Sequence, residues 1–200
     1  MRKLTLSMQI SLDGYIEGPA GEMDWFIAED ETWKEMFEFL KSIDTILLGG
    51  GMYPDYVDYW RRVLSDPKAR PDEVKYSRLA GKIEHIVFSN SLTKIDPKAP
   101  DDYDGEWRKN TRIVKGDVKT EVLKLKQSSG GNDMVLYGGA SMASSFIELG
   151  LVDEYQLWVN QIILGGGKSL FQKVTKRPLK LVSSKTHKSG VVLLRYKPSE

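Results

Sequence analysis

Two hundred residues, 40% of them hydrophobic, are enough to bury a sizeable core, and 29 lysines and arginines against 28 aspartates and glutamates leave a net charge of +1. That balance, with no long like-charged block, argues against nucleic acid or an anionic membrane as the main partner. Cysteine is absent and the two histidines, His85 and His187, stand far apart, so disulfides, thiol catalysis and a zinc site are not expected.

No secretory-signal pattern opens the chain and no apolar run approaches membrane-spanning length, so a cytoplasmic protein is expected. No repeat, low-complexity tract or linker divides residues 1–200, which read as a single domain. Leu4 to Leu12 alternates apolar and polar residues and predicts a first strand. It runs into Asp13 and Gly14, then a loop punctuated by Gly18, Pro19 and Gly21 that closes on Met23, Asp24 and Trp25. Loops of this length are where function concentrates.

Asp30 or Glu31 is placed to cap a helix through about Lys41, with Trp33, Met36, Phe37 and Leu40 on one face. Thr45 to Leu48 reads as a buried strand ended by Gly49, Gly50 and Gly51. Tyr53, Tyr56, Tyr59 and Trp60 form an aromatic cluster beyond it, read first as packing. After Pro67 and Pro71, a short helix is expected over Val74 to Ala80 and a strand over Ile83 to Ser89. Leu92 to Asn110, polar and carrying an acidic run from Asp101 to Asp104, reads as a solvated loop. Arg112 to Lys115 predicts a brief strand, and Val118, Val122 and Leu125 mark a helix ended near Gly130 and Gly131.

Met134 to Tyr137 is a short apolar run suited to a strand buried on both faces of a parallel sheet. Gly138 and Gly139 follow, and Met142, Phe146, Ile147, Leu149 and Leu151 recur at helical spacing, with Ser141 as the expected N-cap and Gly150 near the C-terminus. Such a turn is either a tight strand-to-helix connection or an anion site, because a helix N-terminus offers unpaired N–H groups and glycines let a phosphate approach. Tyr155 to Leu164 alternates as a strand and ends in Gly165, Gly166 and Gly167, so the two glycine turns are expected to meet at the carboxyl ends of neighbouring strands, where open α/β sheets bind ligands.

Neither familiar phosphate loop is present. Gly167, Lys168 and Ser169 match the end of a P-loop, but Ile162 stands where its first glycine belongs, and Leu170 and Ala140 break the dinucleotide pattern GxGxxG. Leu179 to His187 and Val191 to Lys197, joined through Gly190, predict a closing hairpin. Strands alternating with helices, then two strands without one, predict an α/β fold with a mostly parallel sheet, helices on both faces and an antiparallel C-terminal edge hairpin.

In this order the motifs resemble the dihydrofolate-reductase-like superfamily, more closely its branch containing the reductase domain of bacterial riboflavin biosynthesis. The resemblance rests on Ser11, Leu12, Asp13 and Gly14 after the first strand, on Gly138 and Gly139 with Gly150 to Glu154, and on the block from Leu164 to Phe171. It implies a three-layer α/β/α sandwich and an NADPH-dependent reductase of a small heteroaromatic or ribosylaminopyrimidine substrate. The cofactor phosphates would lie against Gly49, Gly50, Ser89 and Asn90 and against the helix opening at Gly138, Gly139, Ala140, Ser141 and Met142. In the folate enzymes the matching Gly-Gly bond is cis.

The resemblance further implies that the loop from Asp13 to Trp25 borders the nicotinamide and that Asp30 is the proton source or orienting group, with Asp13 as the other candidate. Helix cap and turn residue remain the alternative roles for these two acids. Trp25, Gly165, Gly166, Gly167 and Lys168 are the expected substrate-side residues; Trp25 is equally a core residue. The family's basic residues that grip the 2′-phosphate are replaced here by Gly50 and Asn90, so NADH is admitted beside NADPH. A homodimer is expected, with the aromatic cluster near Tyr56 and Trp60 as available surface. A nucleotide- or flavin-binding protein of the same fold without turnover is the alternative.

Overall fold

The computed structural model describes residues 1–199. Its strands are β1 (Leu4–Ser11), β2 (Tyr15–Glu17), β3 (Ile43–Gly49), β4 (Glu84–Phe88), β5 (Thr111–Val114), β6 (Asp133–Gly138), β7 (Glu154–Asn160), β8 (Lys168–Ser169), β9 (Leu179–Thr186) and β10 (Val192–Pro198). Eight form one sheet in the order β5-β4-β3-β6-β1-β7-β10-β9, and β2 pairs with β8. The ladders from β5 to β7 are parallel, whereas β10 runs antiparallel to both β7 and β9.

Side-chain alternation divides the sheet between two cores. Met134 and Leu136 of β6 pack with Val122 of α5 (Val118–Gln127) and with Phe146 and Ile147 of α6 (Ala140–Glu148). Val135, on the opposite face, packs with α1 (Asp30–Lys41), α2 (Tyr53–Val63) and α3 (Pro71–Ala80) through Trp33, Phe37, Val57 and Tyr76. This is a three-layer α/β/α sandwich, and it explains why β6 reads as an unbroken apolar run: both its faces are covered. Each fully buried Leu or Phe of these cores contributes roughly 1.5–3 kcal/mol.

Local chemistry sets several helix ends. Asp117 caps α5 by accepting the Thr120 N–H at 2.7 Å. α6 ends on Gly150 at φ +66°, with the Leu151 N–H donating to Phe146 O at 3.0 Å and the Gly150 N–H to Ile147 O at 3.0 Å, a Schellman closure. Among the described residues no helix is long and apolar enough to cross a membrane.

The structure departs from the sequence expectations in several places. The aromatic cluster after Gly51, for which no element was expected, lies on the helix α2, where Tyr56 packs against Trp107 and Tyr137 and Tyr59 is exposed. The segment from Leu92 to Asn110 is anchored rather than solvated: Asp96, Ala99 and Trp107 are buried, Asp96 lies 3.4 Å from Arg61, and a short helix α4 (Glu106–Lys109) forms. Ser141 is the second residue inside α6, and Gly139 is its N-cap.

Likewise Glu29, not Asp30 or Glu31, is the N-cap of α1, and Asp30 is the first helical residue. Finally, β7 stops at Asn160, level with the end of β1 at Ser11, because no further strand is alongside to pair with. The chain then turns, the Leu12 N–H donating to Ile162 O at 2.8 Å.

Candidate active site

All the parallel strands release their chains at one edge, and the glycines there answer to close approach. A Cβ on Gly49 would lie 3.3 Å from Met142 Sδ, and one on Gly50 would lie 2.4 Å from Ser89 Cβ, so the ends of β3 and β4 and the start of α6 crowd together. The Gly50 N–H donates to Phe88 O at 3.0 Å. Ser89 Oγ accepts the Leu92 N–H at 3.0 Å, and Asn90 Oδ1 accepts the Gly116 N–H at 3.1 Å, which ties the loops after β4 and β5.

Two helices begin on this edge with no side-chain cap: α2 behind Met52 and α6 behind Gly139. The first intrahelical bond of α6 is Ala143 N–H to Gly139 O at 2.9 Å, so the N–H groups from Ala140 to Met142 are free of the helix ladder. The peptide bond between Gly138 and Gly139 is cis. Gly139 leaves open space, its nearest neighbour being Met52 Cβ at 3.9 Å from a would-be Cβ. Such a cradle fits a pyrophosphate: two positive dipole ends, unpaired donors and no side chain in the way. Gly49, Gly50, Ser89, Asn90, Gly138, Gly139, Ala140, Ser141 and Met142 thus share one corner of the sheet edge.

The residues expected on the substrate side lie further along the edge, across β1. Strand β1 stands between β6 and β7, so the two glycine turns are not on neighbouring strands as expected. The Gly165 to Gly167 turn packs instead under the chain that leaves β1: a Cβ on Gly167 would lie 2.1 Å from Glu17 O, and one on Gly166 would touch Pro19. Lys168 Nζ is held by both Glu17 oxygens, at 2.8 and 2.7 Å.

Asp13 is committed to the same clasp. Its carboxylate accepts Ser11 Oγ at 2.6 Å and the N–H groups of Leu164 at 3.2 Å and Gly165 at 2.8 Å. The Ser11 hydroxyl foremost, then the two backbone donors, hold it below the ordinary carboxylate range. A carboxylate so satisfied is a tether and a poor proton donor.

Trp25 is half-buried, its Nε1–H donating to Glu22 O at 3.1 Å and its ring edge-on to Phe26 at 4.4 Å. The chain next reaches Ile27, whose N–H donates to Asn160 Oδ1 at 3.0 Å. Asn160 is buried, and its amide also donates to Gln9 Oε1 at 2.8 Å and Trp158 O at 3.1 Å. It fixes where the loop crosses the ends of β1 and β7. Nothing in the alternating strand EYQLWVN sets this amide apart from Gln156.

Asp30 emerges exposed at the start of α1. Its neighbour Glu31 accepts the Lys188 N–H at 2.9 Å and lies 4.0 Å from His187 Nδ1, which pins that helix end to the β9–β10 turn. The Lys188 N–H, chiefly, lowers the Glu31 pKa. Among the described residues no group of three or more histidines, aspartates or glutamates is placed to hold a metal ion.

A family model described as the RibD C-terminal domain matches residues 2–193. The chain is 36% identical over 196 residues to the uncharacterized protein YyaP of Bacillus subtilis (strain 168), covering 98% of this chain and 94% of that protein. Among solved structures it is similar to the diaminohydroxyphosphoribosylaminopyrimidine deaminase/5-amino-6-(5-phosphoribosylamino)uracil reductase of Thermotoga maritima, with a TM-score of 0.66 at 17% identity over 99% of this chain and 57% of that one. It is also similar to a dihydrofolate reductase from Enterococcus faecalis complexed with NADP(H), with a TM-score of 0.59 at 14% identity over 99% and 97% of the two chains.

Proposed function

The chain belongs to the RibD C-terminal domain family, and from this membership we propose that it is a cytoplasmic reductase that uses NADPH or NADH to reduce a small heteroaromatic or ribosylaminopyrimidine molecule. One observation carries the reading: two uncapped helix N-termini and the glycines at the ends of β3 and β6 converge on a single corner of the carboxyl edge. The residues from Gly139 to Met142 and the Gly49 turn would hold the cofactor's phosphates. A nicotinamide dinucleotide bound there supplies a hydride.

The protein's own residues then have three tasks. Asn160 and Asp13 hold the loop from Leu12 to Ile27 and the Gly165 turn against the sheet, so the substrate meets a rigid wall. Trp25 and Phe26 supply aromatic surface that excludes water. Asp30, exposed at the start of α1, delivers a proton to the reduced atom, whereas Asp13 is held ionised and only positions. A homodimer belongs to this reading, through β9 rather than the α2 aromatics: every residue of β9 is exposed, Leu181 and Val182 among them, and its outer edge is unpaired among the described residues.

Oxidation of NADPH or NADH by the purified protein, followed by absorbance with a panel of pterins and aminopyrimidines, tests the activity. Cofactor binding without turnover of any panel member would favour the second reading, a nucleotide-binding protein of this fold, which the Gly50 and Asn90 replacements support.

A further inference from the structure

The loop that crosses the ends of β1 and β7 has a one-sided charge, and the turn facing it carries cations only. Between Lys3 and Lys34 the sequence contains seven carboxylates and no lysine, arginine or histidine, and this stretch supplies the whole loop that crosses the ends of β1 and β7. An open groove of about 520 Å³ lies beside it, lined by Glu17, Gly18, Pro19, Gly21, Gly167 and Lys168. That volume suits a small heterocycle.

The one cation lining the groove is already engaged. Glu17 and Lys168 are direct cross-strand partners of β2 and β8, and the ammonium is gripped by both carboxylate oxygens. Gly167 makes this pairing close, since only a residue without Cβ lets the two chains approach so tightly. A phosphate arriving at Lys168 must displace a carboxylate tethered to the same two-stranded ladder. It must also pass the carboxylates of the loop that carries Glu17, a repulsion that acts over about a Debye length of 8–10 Å.

The exposed apolar surface nearby has the opposite preference. Leu12 is 65% exposed, Ile163 70% and Met23 53%, and Leu12 is joined to the Ile162 backbone, so apolar groups of the two loops lie at the mouth of the same edge. Resting on the reductase reading, we propose that Glu17 withholds Lys168 from anions, so that this site takes an unphosphorylated, neutral or cationic, flat heterocycle and rejects its phosphorylated counterpart. Glu17 is then a specificity-determining residue, and Lys168 is a structural cation.

The test uses 5-amino-6-ribosylaminouracil with and without its 5′-phosphate, each titrated calorimetrically into the full chain after NADPH and NADH have been titrated alone. The unphosphorylated compound is expected to bind at least tenfold more tightly. Glu17→Gln, which frees Lys168, is expected to narrow that ratio below threefold, and raising the salt is expected to narrow it in the unmodified protein. Equal or tighter binding of the phosphate form, a ratio that Glu17→Gln and salt both leave unchanged, or no binding of either compound would overturn the proposal. Failure of both nicotinamide dinucleotides to bind would overturn the reductase reading instead, and the ratio for the two uracils would still be read on its own.

Discussion

The Asp13 carboxylate accepts the Gly165 backbone N–H at 2.8 Å, joining residues far apart in sequence where the chain leaves β1 and where it turns after β7. With the Ser11 hydroxyl and the Leu164 N–H it forms a clasp that sets the position of Lys168 and of the substrate-side turn. Asp13→Ala is therefore expected to raise hydrogen exchange at Leu164 and Gly165 selectively and to lower kcat/KM about tenfold through misplacement. The pH profile of the residual activity should keep its shape. Protection at these two amides equal to that of the unmodified protein would remove the clasp from the account.

Asp30 has no such commitment and stands at the exposed start of α1. If it delivers the proton, Asp30→Asn should reduce turnover at least ~100-fold, the lower range for a positioned general acid. Cofactor affinity should change by less than about twofold, because the cofactor corner lies across β1. Steady-state kinetics and fluorescence titration on the same preparation separate the two effects, and a variant with unaltered kcat would assign the proton to solvent.

His85 carries a pH dependence that belongs to the fold rather than to the site. It is fully buried on β4, with Trp107 at 4.9 Å and Tyr56 at 6.2 Å between ring centroids, and burial lowers its pKa from 6.5 to about 4. The buried hydroxyls of Tyr56, Tyr76 and Tyr137 have raised pKa values and stay neutral across this range. The folded state therefore holds the neutral imidazole while the unfolded chain takes up a proton below pH 6.5. Stability is complete above that pH, falls as the pH drops toward 4 by up to about 3 kcal/mol, and loses nothing further to this group below it. The urea midpoint of the protein, measured at pH 7, 5.5 and 4, should fall relative to that of His85→Phe as the pH drops; parallel curves would show that His85 carries no such pH dependence.

Cofactor choice turns on what occupies the corner after β4. Gly50 has no room for a side chain beside Ser89, but Asn90 is exposed. Asn90→Arg should shift the ratio of NADPH to NADH affinity about tenfold toward NADPH, since a guanidinium forks onto a phosphate as an amide cannot. The ratio of dissociation constants, measured at fixed salt, is the readout.

The fold was legible where one physical cause dominated. β6 read as doubly buried because both faces are covered, and Gly150 read as a helix end because a left-handed residue was needed there. Legibility failed where tertiary contacts decided. Nothing local distinguishes Asp96 and Trp107 from loop residues until the Arg61 side chain and the space beneath α2 and α3 are in place. The extension of β7 to Leu164 failed because alternation continued past the point where a partner strand was available. At the site, the glycines and Asp30 were visible as types, whereas the Glu17–Lys168 grip and the Asn160 junction join residues separated by more than a hundred positions and have no local signature.

The corner built by Gly49, Gly138 and the start of α6 is expected to hold a reduced nicotinamide dinucleotide. Titration of the purified protein with NADPH and with NADH, followed by nicotinamide fluorescence and thermal shift, tests it most directly. Saturable binding of both is expected, with dissociation constants below about 100 μM and within about tenfold of each other. Absence of binding by either at millimolar concentration would contradict it.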